Sequence, residues 1–281
     1  APHPDRGIRP AGRGERAEAL AWPHRTETWA GKHKETKKLS PKRPGIYVSS
    51  LLCVFQPGLI HASVEALKPN ITLAETKAPN GARMTLVEHD GSYCIRVNGQ
   101  QLMHSSVATS EIELGRLGVE RLVNRGQPAK VLIGGLGLGF TLKSVLSHTG
   151  PKAAVQVSEL FPEIVVWNRT FLAGLNGGAL ADPRVTVLAE DVRAIIRRGA
   201  KAPYDAIVLD IDNGTTAMVK EENNQLYSER GMQQIALALK PGGRAVVWSA
   251  CADAAIEQRL KKAGLAVQAV PAKLYAQAKR S

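Results

Sequence analysis

Apolar and polar residues alternate along residues 71–104, as they do in β-strands that bury one face. The alternation is interrupted at residues 79–81, at Asp90-Gly91 and at Asn98-Gly99. Asn-Gly and Asp-Gly dipeptides favour two-residue hairpin turns, because both central residues of those turns need positive φ. This stretch therefore predicts a small antiparallel meander of three or four strands.

Beyond residue 109 the pattern changes to short apolar runs that alternate with segments of helical period. Helices are predicted at 110–123 behind a candidate Ser110 cap, and at 142–148, 162–175, 192–198, 233–239 and 252–263. Strands are predicted at 131–133, 153–158, 185–188, 204–210, 244–249 and 265–270, with residues 240–243 (Lys-Pro-Gly-Gly) as a break before the fifth. Such alternation predicts an α/β fold with a doubly wound, mostly parallel sheet, which binds ligands above the carboxyl ends of its strands.

The first of these strands leads into a glycine-rich turn, VLIGGLGLGFT at residues 131–141. Gly135, Gly137 and Gly139 are spaced G-x-G-x-G between the strand and the next helix. Residues without Cβ permit a tight turn and a close approach of the backbone to a ligand. The motif is typical of nucleoside sites, although a tight turn that binds nothing has the same pattern.

Acidic residues follow the next three predicted strands. Glu159 lies 20 residues after Gly139, where a carboxylate can accept hydrogen bonds from ribose hydroxyls. Glu190 and Asp191 follow the third strand, and Asp191 either holds an adenine amino group or caps the next helix. Asp210 and Asp212 end the fourth strand. Because the carboxyl ends of parallel strands meet at one edge, these acids are expected beside the glycine turn.

Charge and composition bear mainly on the N-terminal part. The chain has 281 residues and a formal charge of +12, and residues 1–44 carry +6 of it without sustained apolar periodicity. This predicts a disordered basic extension with a short apolar segment over 1–70, a meander over 71–108 and a nucleoside-binding domain over 109–281. Nucleic-acid binding is not expected, because the basic residues are not interleaved with aromatic ones. No membrane span is expected either, since polar residues and a proline interrupt the apolar stretch at 46–67.

The three cysteines, Cys53, Cys94 and Cys251, are far apart and have no metal-ligand spacing. They are expected to be reduced thiols of a cytoplasmic protein, with no metal site.

In its order of motifs the chain resembles the spermidine synthase (polyamine aminopropyltransferase) family, within the adenosylmethionine-dependent methyltransferase-like superfamily. The resemblance covers about 71–270: the meander, the glycine turn, Glu159, Glu190-Asp191, the run Tyr-Asp-Ala-Ile-Val-Leu-Asp at 204–210 and Lys-Pro-Gly-Gly at 240–243. It implies a site for decarboxylated adenosylmethionine or methylthioadenosine, with Glu159 on the ribose, Asp191 near the adenine and Asp210 helping to deprotonate an attacking amine. The cofactor-binding set is Gly135, Gly137, Leu138, Gly139, Glu159, Glu190 and Asp191. The amine pocket would include Asp212, Asn213 and Tyr227.

The sequence departs from the family pattern at three places. Leu138 stands where the family has an Asp in the glycine turn, which holds the ammonium end of the donor. The family's D-x-x-D becomes Asp210-Ile211-Asp212-Asn213, and a Tyr-Gln or Tyr-His pair has no match near Thr109 and Ser110. Since desolvating an ammonium group without a paired acid is costly, the acceptor is not expected to be simply putrescine.

Three functions stay open on the sequence. The first is aminopropyl transfer from decarboxylated adenosylmethionine to a small-molecule amine, without a prosthetic group or a metal, because a sulfonium is already an activated leaving group. The second is methyl transfer from ordinary adenosylmethionine on the same fold, and the third is a non-catalytic binding or scaffold protein. A homodimer is expected, because the family's terminal hairpin is represented only by 265–270 and an open sheet edge favours pairing.

Overall fold

Two β-sheets form the framework of the protein. The computed structural model describes residues 45–50, for which it gives the backbone, and residues 69–78, 81–122, 128–211, 225–249 and 253–271. The strands are, in chain order, β1 Gly45–Ser50, β2 Ile71–Lys77, β3 Arg83–His89, β4 Ser92–Val97, β5 Gln100–His104, β6 Lys130–Gly134, β7 Ala154–Ser158, β8 Val185–Leu188, β9 Tyr204–Leu209, β10 Leu239–Ser249 and β11 Ala266–Pro271. The helices are α1 Thr109–Val119, α2 Phe140–Ser147, α3 Pro162–Thr170, α4 Ala173–Asn176, α5 Val192–Gly199, α6 Glu229–Leu237 and α7 Ala254–Lys262.

The smaller sheet is the predicted antiparallel meander, with strand order β2-β3-β4-β5. Asp90 and Gly91 have φ of 48° and 75°, and Asn98 and Gly99 have φ of 49° and 81°. Both hairpins thus use the positive φ that their dipeptides favour. The prediction of a meander of three or four strands is confirmed, and the number of strands is four.

The larger sheet has the order β11-β1-β10-β9-β6-β7-β8, and every pair of neighbouring strands is parallel. Alternate residues of its strands pack against different groups of helices. In β6, Val131 and Ile133 belong to a core with α1, α2, α3 and the meander, whereas Leu132 belongs to a second core with α5, α6 and α7. The predicted doubly wound α/β fold is confirmed, and it follows from this period-two pattern of buried residues.

The strand β1 corrects the expectation of disorder through residue 70. Gly45–Ser50 pairs with β10 on one side and with β11 on the other. The rest of residues 1–68 lies outside the described residues, and the boundaries of the domains stay a prediction. The pairing joins segments about 200 residues apart in the sequence, so local composition could not reveal it.

Three further local predictions are wrong in detail. Ala108, and not Ser110, is the N-cap of α1, and Ser110 Oγ donates to the Glu111 carboxylate at 2.5 Å. The helix expected at 162–175 is divided into α3 and α4 at Leu172, which has a non-helical ψ of 1° and is fully buried. Residues 240–243 do not precede β10 but form an irregularity within it, where the register with β9 shifts between Leu239 and Arg244.

The packing of α1 on α2 depends on Gly115. A Cβ at this position would lie 2.7 Å from Ser144 Cβ and 2.8 Å from the Thr141 carbonyl oxygen. We expect Gly115→Ala to lower the free energy of unfolding by about 1–3 kcal/mol, because the two helices would have to separate. Urea denaturation measures this loss. The control Gly174→Ala, which has open space around its Cβ in α4, should be neutral or slightly stabilising, and an equal loss in both variants would contradict the role of this contact.

Candidate functional site

The carboxyl ends of β9, β6, β7 and β8 lie next to one another in the sheet. They lead respectively into Asp210, the glycine turn at 135–139, Glu159 and the Glu190-Asp191 pair. The structure therefore brings the acids predicted from sequence to the same edge as the glycine turn. This edge is the candidate site.

All three spaced glycines of the turn have a left-handed backbone, with φ of +88° at Gly135, +51° at Gly137 and +88° at Gly139. Gly135 makes the closest approach: a Cβ there would lie 2.2 Å from the main-chain oxygen of Asp210. Its N–H donates to the Ser158 carbonyl at 2.9 Å. The turn is thus fixed against both neighbouring strands, and only glycine fits at its first position.

Two buried asparagines support the turn from α3 and α4. Asn168 Nδ2 donates to the Gly137 carbonyl at 2.8 Å, and Asn176 Nδ2 donates to Asn168 Oδ1 at 2.8 Å. A Cβ on Gly139 would lie 2.7 Å from Asn168 Oδ1. Sequence reasoning missed this pair. Two asparagines eight residues apart, in and just after a predicted helix, were an available signal, because buried amides in helices usually have a specific hydrogen-bonding task.

Leu138 contributes to the core rather than to a surface at this edge. Its side chain is 4% exposed and packs in the cluster with Leu136 and Leu142. The position in the turn that faces the meander is Gly137, where a Cβ would lie 2.9 Å from Met103 Sδ in β5. Leu138 can therefore serve a ligand only through its main chain, and its assignment to the cofactor site stays a prediction.

The Glu159 carboxylate is buried and holds the glycine turn in place. Oε2 accepts a hydrogen bond from Leu136 N at 2.9 Å, and Oε1 accepts one from Phe161 N at 2.9 Å. Burial raises the pKa of this carboxyl, and the N–H groups around it oppose the rise. The N–H groups of Leu160 and Gly137 also act on this carboxylate, so a ligand hydroxyl would share its oxygens with the main chain of the turn.

Asp191 caps α5, as one of its two interpretations predicted. Its Oδ1 accepts from Arg193 N at 2.8 Å, and Arg193 Nη2 lies 2.7 Å from Oδ2. The carboxylate of Glu190 pairs with Arg198, at 2.8 Å between Nη1 and Oε2, in a solvent-exposed position. The adenine role of Asp191 and the cofactor role of Glu190 stay predictions.

Asp210 is a second acid at this edge whose surroundings raise the pKa of its carboxyl. Thr141 Oγ donates to its Oδ2 at 2.6 Å from the first turn of α2. Burial, together with the negative charge of Glu111, raises the pKa of the Asp210 carboxyl to about 7, while the Thr141 hydrogen bond opposes the rise. A carboxyl that exchanges its proton near neutral pH has the property that general acid–base catalysis requires.

Glu111 is a further acid near Asp210 that sequence reasoning did not single out. It lies in the first turn of α1, and burial raises the pKa of its carboxyl too. A signal was present in the sequence. Glu113 and Glu120 both lie at helical spacing from Arg116 and pair with it, whereas no basic residue stands three or four positions from Glu111.

Of the three residues expected in an amine pocket, the structure describes only Tyr227. Asp212 and Asn213 lie outside the described residues. Tyr227 is 3% exposed and packs in the core with Met232 and Ile256. Core packing accounts for the position of Tyr227, and its contact with a substrate stays a prediction.

The structure also bears on metals, thiols and membranes. In the described ranges, no three His, Cys, Asp or Glu side chains are grouped so that they could hold a metal ion. Cys94 is buried there as a free thiol. Among the helices that the structure describes, none combines the length and the apolar character needed to cross a bilayer.

A family model and several curated proteins match the part of the chain that includes this edge. Residues 100–264, more than half of the chain, match the model of the family described as "Spermine/spermidine synthase domain". The chain is 37% identical over 121 residues to Polyamine aminopropyltransferase 2 of Pseudomonas aeruginosa, covering 42% of this chain and 32% of that protein. It is 34% identical over 127 residues to the Polyamine aminopropyltransferase of Mycobacterium tuberculosis, covering 44% and 23% respectively. The matched region is thus only a quarter to a third of the length of these relatives.

Solved structures with a similar arrangement include two kinds of protein. Spermidine synthase from Thermotoga maritima has a TM-score of 0.48 at 22% identity, over 60% of this chain and 54% of that one. A SAM-dependent methyltransferase from Agrobacterium tumefaciens has a TM-score of 0.44 at 13% identity, over 82% and 89%.

Proposed function

Since this chain belongs to the spermine/spermidine synthase family, we propose that it transfers an aminopropyl group from decarboxylated adenosylmethionine to a small-molecule amine, as in polyamine biosynthesis. The main support for the proposal is the position and the pKa of one carboxyl. Asp210 contacts the glycine turn through its main chain, and its carboxyl, which has a pKa of about 7, accepts a hydrogen bond from Thr141 in the helix that follows the turn. The reaction needs a base of this kind next to the donor, because the attacking nitrogen has to lose a proton near neutral pH.

In the proposed reaction the neutral amine attacks the carbon next to the sulfonium of the donor. The C–N bond forms as the C–S bond breaks, and sulfur keeps the electron pair to become the thioether of methylthioadenosine. Before the attack the amine, which is an ammonium ion at neutral pH, has lost a proton to a neighbouring carboxylate, and the product is a secondary ammonium ion. The protein contributes orientation of the two reactants together with the base at Asp210.

The nucleoside part of the donor would lie on the glycine turn. Gly135, Gly137 and Gly139 let the backbone approach the ligand, and the Glu159 carboxylate would accept hydrogen bonds from the ribose hydroxyls. Asp191 would lie near the adenine amino group, at the start of α5. These assignments need no rearrangement of the turn, because Glu159 already fixes it through Leu136 N.

A direct assay tests the proposed activity. The purified full chain is incubated with decarboxylated adenosylmethionine and, separately, with putrescine, cadaverine, 1,3-diaminopropane or spermidine, and methylthioadenosine is quantified by liquid chromatography. The proposal expects methylthioadenosine to form in proportion to enzyme with at least one amine. If none forms with any of the four at high enzyme concentration, the proposal is refuted.

Methyl transfer is the second candidate, and one feature favours it. The turn at 135–139 reads Gly-Leu-Gly-Leu-Gly and has no acid that would select a donor with an isolated ammonium group. Calorimetric titration with both forms of adenosylmethionine separates the candidates. Tighter binding of the decarboxylated form supports aminopropyl transfer, whereas tighter binding of the ordinary form supports methyl transfer.

Glu159 provides a test of the nucleoside site. We expect Glu159→Gln to weaken methylthioadenosine binding by at least about 10-fold, because its NH₂ group would face a backbone N–H and one ribose acceptor would be lost. The matched control is Glu229→Gln, whose carboxylate pairs with Lys262 at the surface. Its affinity should stay within about twofold of wild type, as exposed ion pairs contribute little. Equal losses in both variants would speak against the ribose role of Glu159.

The remaining assignments concern assembly and location. We place the protein in the cytoplasm as a homodimer that does not bind nucleic acid. The edge strands β8 and β11 each leave one side of the sheet without a strand partner in the described part of the chain, which supports pairing between copies. Light scattering after size-exclusion chromatography measures the mass, and a monomer at micromolar concentration would refute the dimer.

A further inference from the structure

The hydroxyl of Thr141 links α1 to the carboxyl of Asp210. Thr141 Oγ lies 2.6 Å from Asp210 Oδ2 and 3.3 Å from the main-chain oxygen of Glu111. A hydroxyl has one proton to donate, and the shorter distance shows that Asp210 receives it. The main chain of Glu111 nevertheless lies within 3.3 Å of the same hydroxyl, which places position 111 near Asp210 at the carboxyl edge of the sheet.

The Glu111 side chain is held at this place by its neighbour. Ser110 Oγ donates to Glu111 Oε2 at 2.5 Å, and the Glu111 carboxylate is close enough to Asp210 for its charge to act on that carboxyl. Apart from Ser110 and the main-chain N–H of Glu111 itself, no group among the described residues donates a hydrogen bond to this carboxylate. Since a carboxylate has about four lone-pair sites, Glu111 retains acceptor capacity for a ligand.

The two acids together lack a cation from the protein. Within the described residues, no lysine or arginine pairs with Glu111 or with Asp210. By contrast, Glu113 on the same helix pairs with Arg116, and Glu120, which follows the helix, pairs with both Arg116 and Arg244. Two neighbouring carboxyls in a partly buried place are costly unless they share a proton or bind a cation. In the proposed reaction the cation is available, because an aliphatic amine is an ammonium ion at neutral pH.

We propose that Glu111 is the second carboxyl of the acceptor site and that, with Asp210, it binds the nitrogen that attacks the donor. This inference rests on the proposed function and extends it to the substrate, since the pair requires an acceptor with a protonated amino group. Asp210 takes a proton from the ammonium, and Glu111 accepts another N–H and so orients the nitrogen lone pair towards the carbon next to sulfur. After C–N formation and C–S cleavage the product ammonium remains between the two acids, and the proton on Asp210 passes to water.

The charges around Asp210 support a role in proton transfer for the pair. Glu111 on α1 raises the pKa of the Asp210 carboxyl, and Thr141 on α2 lowers it. The strands on both sides of β9 contribute uncharged residues at this level, among them Gly135 after β6 and Trp248 in β10. Removing the charge of Glu111 should therefore lower the pKa of Asp210.

Steady-state kinetics of Glu111→Gln test the assignment. The KM of the best amine acceptor should rise at least 10-fold, while the KM of decarboxylated adenosylmethionine stays within twofold. The acidic limb of the pH profile of kcat/KM for the amine should move to lower pH by at least half a unit, which a merely structural role would not produce. In the matched control Glu113→Gln, which removes an acid of the same helix outside the site, both KM values and the pH profile should stay as in wild type. A rise in the donor KM instead of the amine KM would overturn the assignment.

Amine binding separates this inference from the proposed function. Putrescine and the other three amines are titrated calorimetrically into wild type, Glu111→Gln and Glu113→Gln, each saturated with methylthioadenosine. At least 10-fold weaker binding in Glu111→Gln alone supports the inference even if the wild type has no turnover, in which case only the proposed reaction fails. Equal affinities in the three proteins, or no amine binding by wild type, overturn the inference whatever the activity assay shows.

Discussion

Replacing Asp210 with asparagine is expected to lower kcat for aminopropyl transfer by about 10²- to 10⁴-fold, the contribution of a well-placed general base. The amide retains the oxygen that accepts the hydrogen bond of Thr141, so the shape of the site should persist. Methylthioadenosine affinity should accordingly stay within about threefold of wild type. Single-turnover assays and calorimetry measure the two quantities. Turnover within a factor of three of wild type would remove Asp210 from the chemistry, whereas the expected loss of turnover would exclude the non-catalytic scaffold.

Asp210→Asn should also raise the free energy of unfolding relative to wild type at alkaline pH. The Asp210 carboxyl has a pKa of about 7 in the folded protein against a reference value of 3.8. Between these values the folded state binds a proton that the unfolded state has lost, so wild-type stability decreases as the pH rises through this window and the loss is complete above 7. The amide of Asp210→Asn does not titrate. Relative to wild type, the free energy of unfolding of the variant should therefore increase by about 1–4 kcal/mol between pH 4 and pH 8. Urea denaturation of both proteins at pH 4 and pH 8 measures their unfolding free energies. If the difference between variant and wild type is the same at the two pH values, the Asp210 carboxyl does not have a raised pKa in the folded protein.

A variant that loses activity while gaining stability would be informative in itself. Simple structural damage lowers both quantities, whereas a catalytic acid in an unfavourable environment costs stability that its removal restores. Asp210 meets this description because burial and Glu111 both disfavour its ionised form. The two measurements together therefore separate a catalytic role from a structural one.

Sequence reasoning succeeded where local patterns decide the structure. The strand β8 Val185–Leu188 and the hairpins at Asp90-Gly91 and Asn98-Gly99 are as predicted, because apolar alternation and turn dipeptides act over a few residues. Sequence reasoning failed where segments far apart in the sequence determine the structure. The pairing of Gly45–Ser50 with β10 and β11, and the continuation of β10 through residues 240–243, depend on neighbours remote in sequence.

The candidate site shows the same division. Strand ends in a parallel sheet meet at a common edge, so Glu159, Asp191 and Asp210 could be placed together without coordinates. Thr141 and Glu111 come from helices, whose rotation about their axes is fixed by packing such as that of Gly115 against Ser144. The sequence offered only an indirect indication of Glu111, namely an acid in α1 without a basic partner at helical spacing.

Gly135→Ala is expected to be the most destabilising single change in the turn. Gly135 has φ of +88°, and a Cβ there would lie 2.2 Å from the main-chain oxygen of Asp210. Neither group can rotate away, because both are main chain and Asp210 N is bonded to the Gly134 carbonyl at 2.9 Å. The variant should lose at least about 3 kcal/mol of unfolding free energy, together with most of its affinity for methylthioadenosine.

Gly99→Ala is the control that separates backbone strain from this contact. Gly99 has a similar φ of +81° in the hairpin between β4 and β5, but no atom lies within 4 Å of its added Cβ. A left-handed alanine alone costs about 1–2 kcal/mol, and methylthioadenosine binding should be unaffected, because the hairpin is not part of the turn. Urea denaturation and calorimetry on both variants provide the comparison. If Gly135→Ala costs no more than Gly99→Ala, the glycine turn and the strand end at Asp210 are not in the close contact on which the proposed site depends.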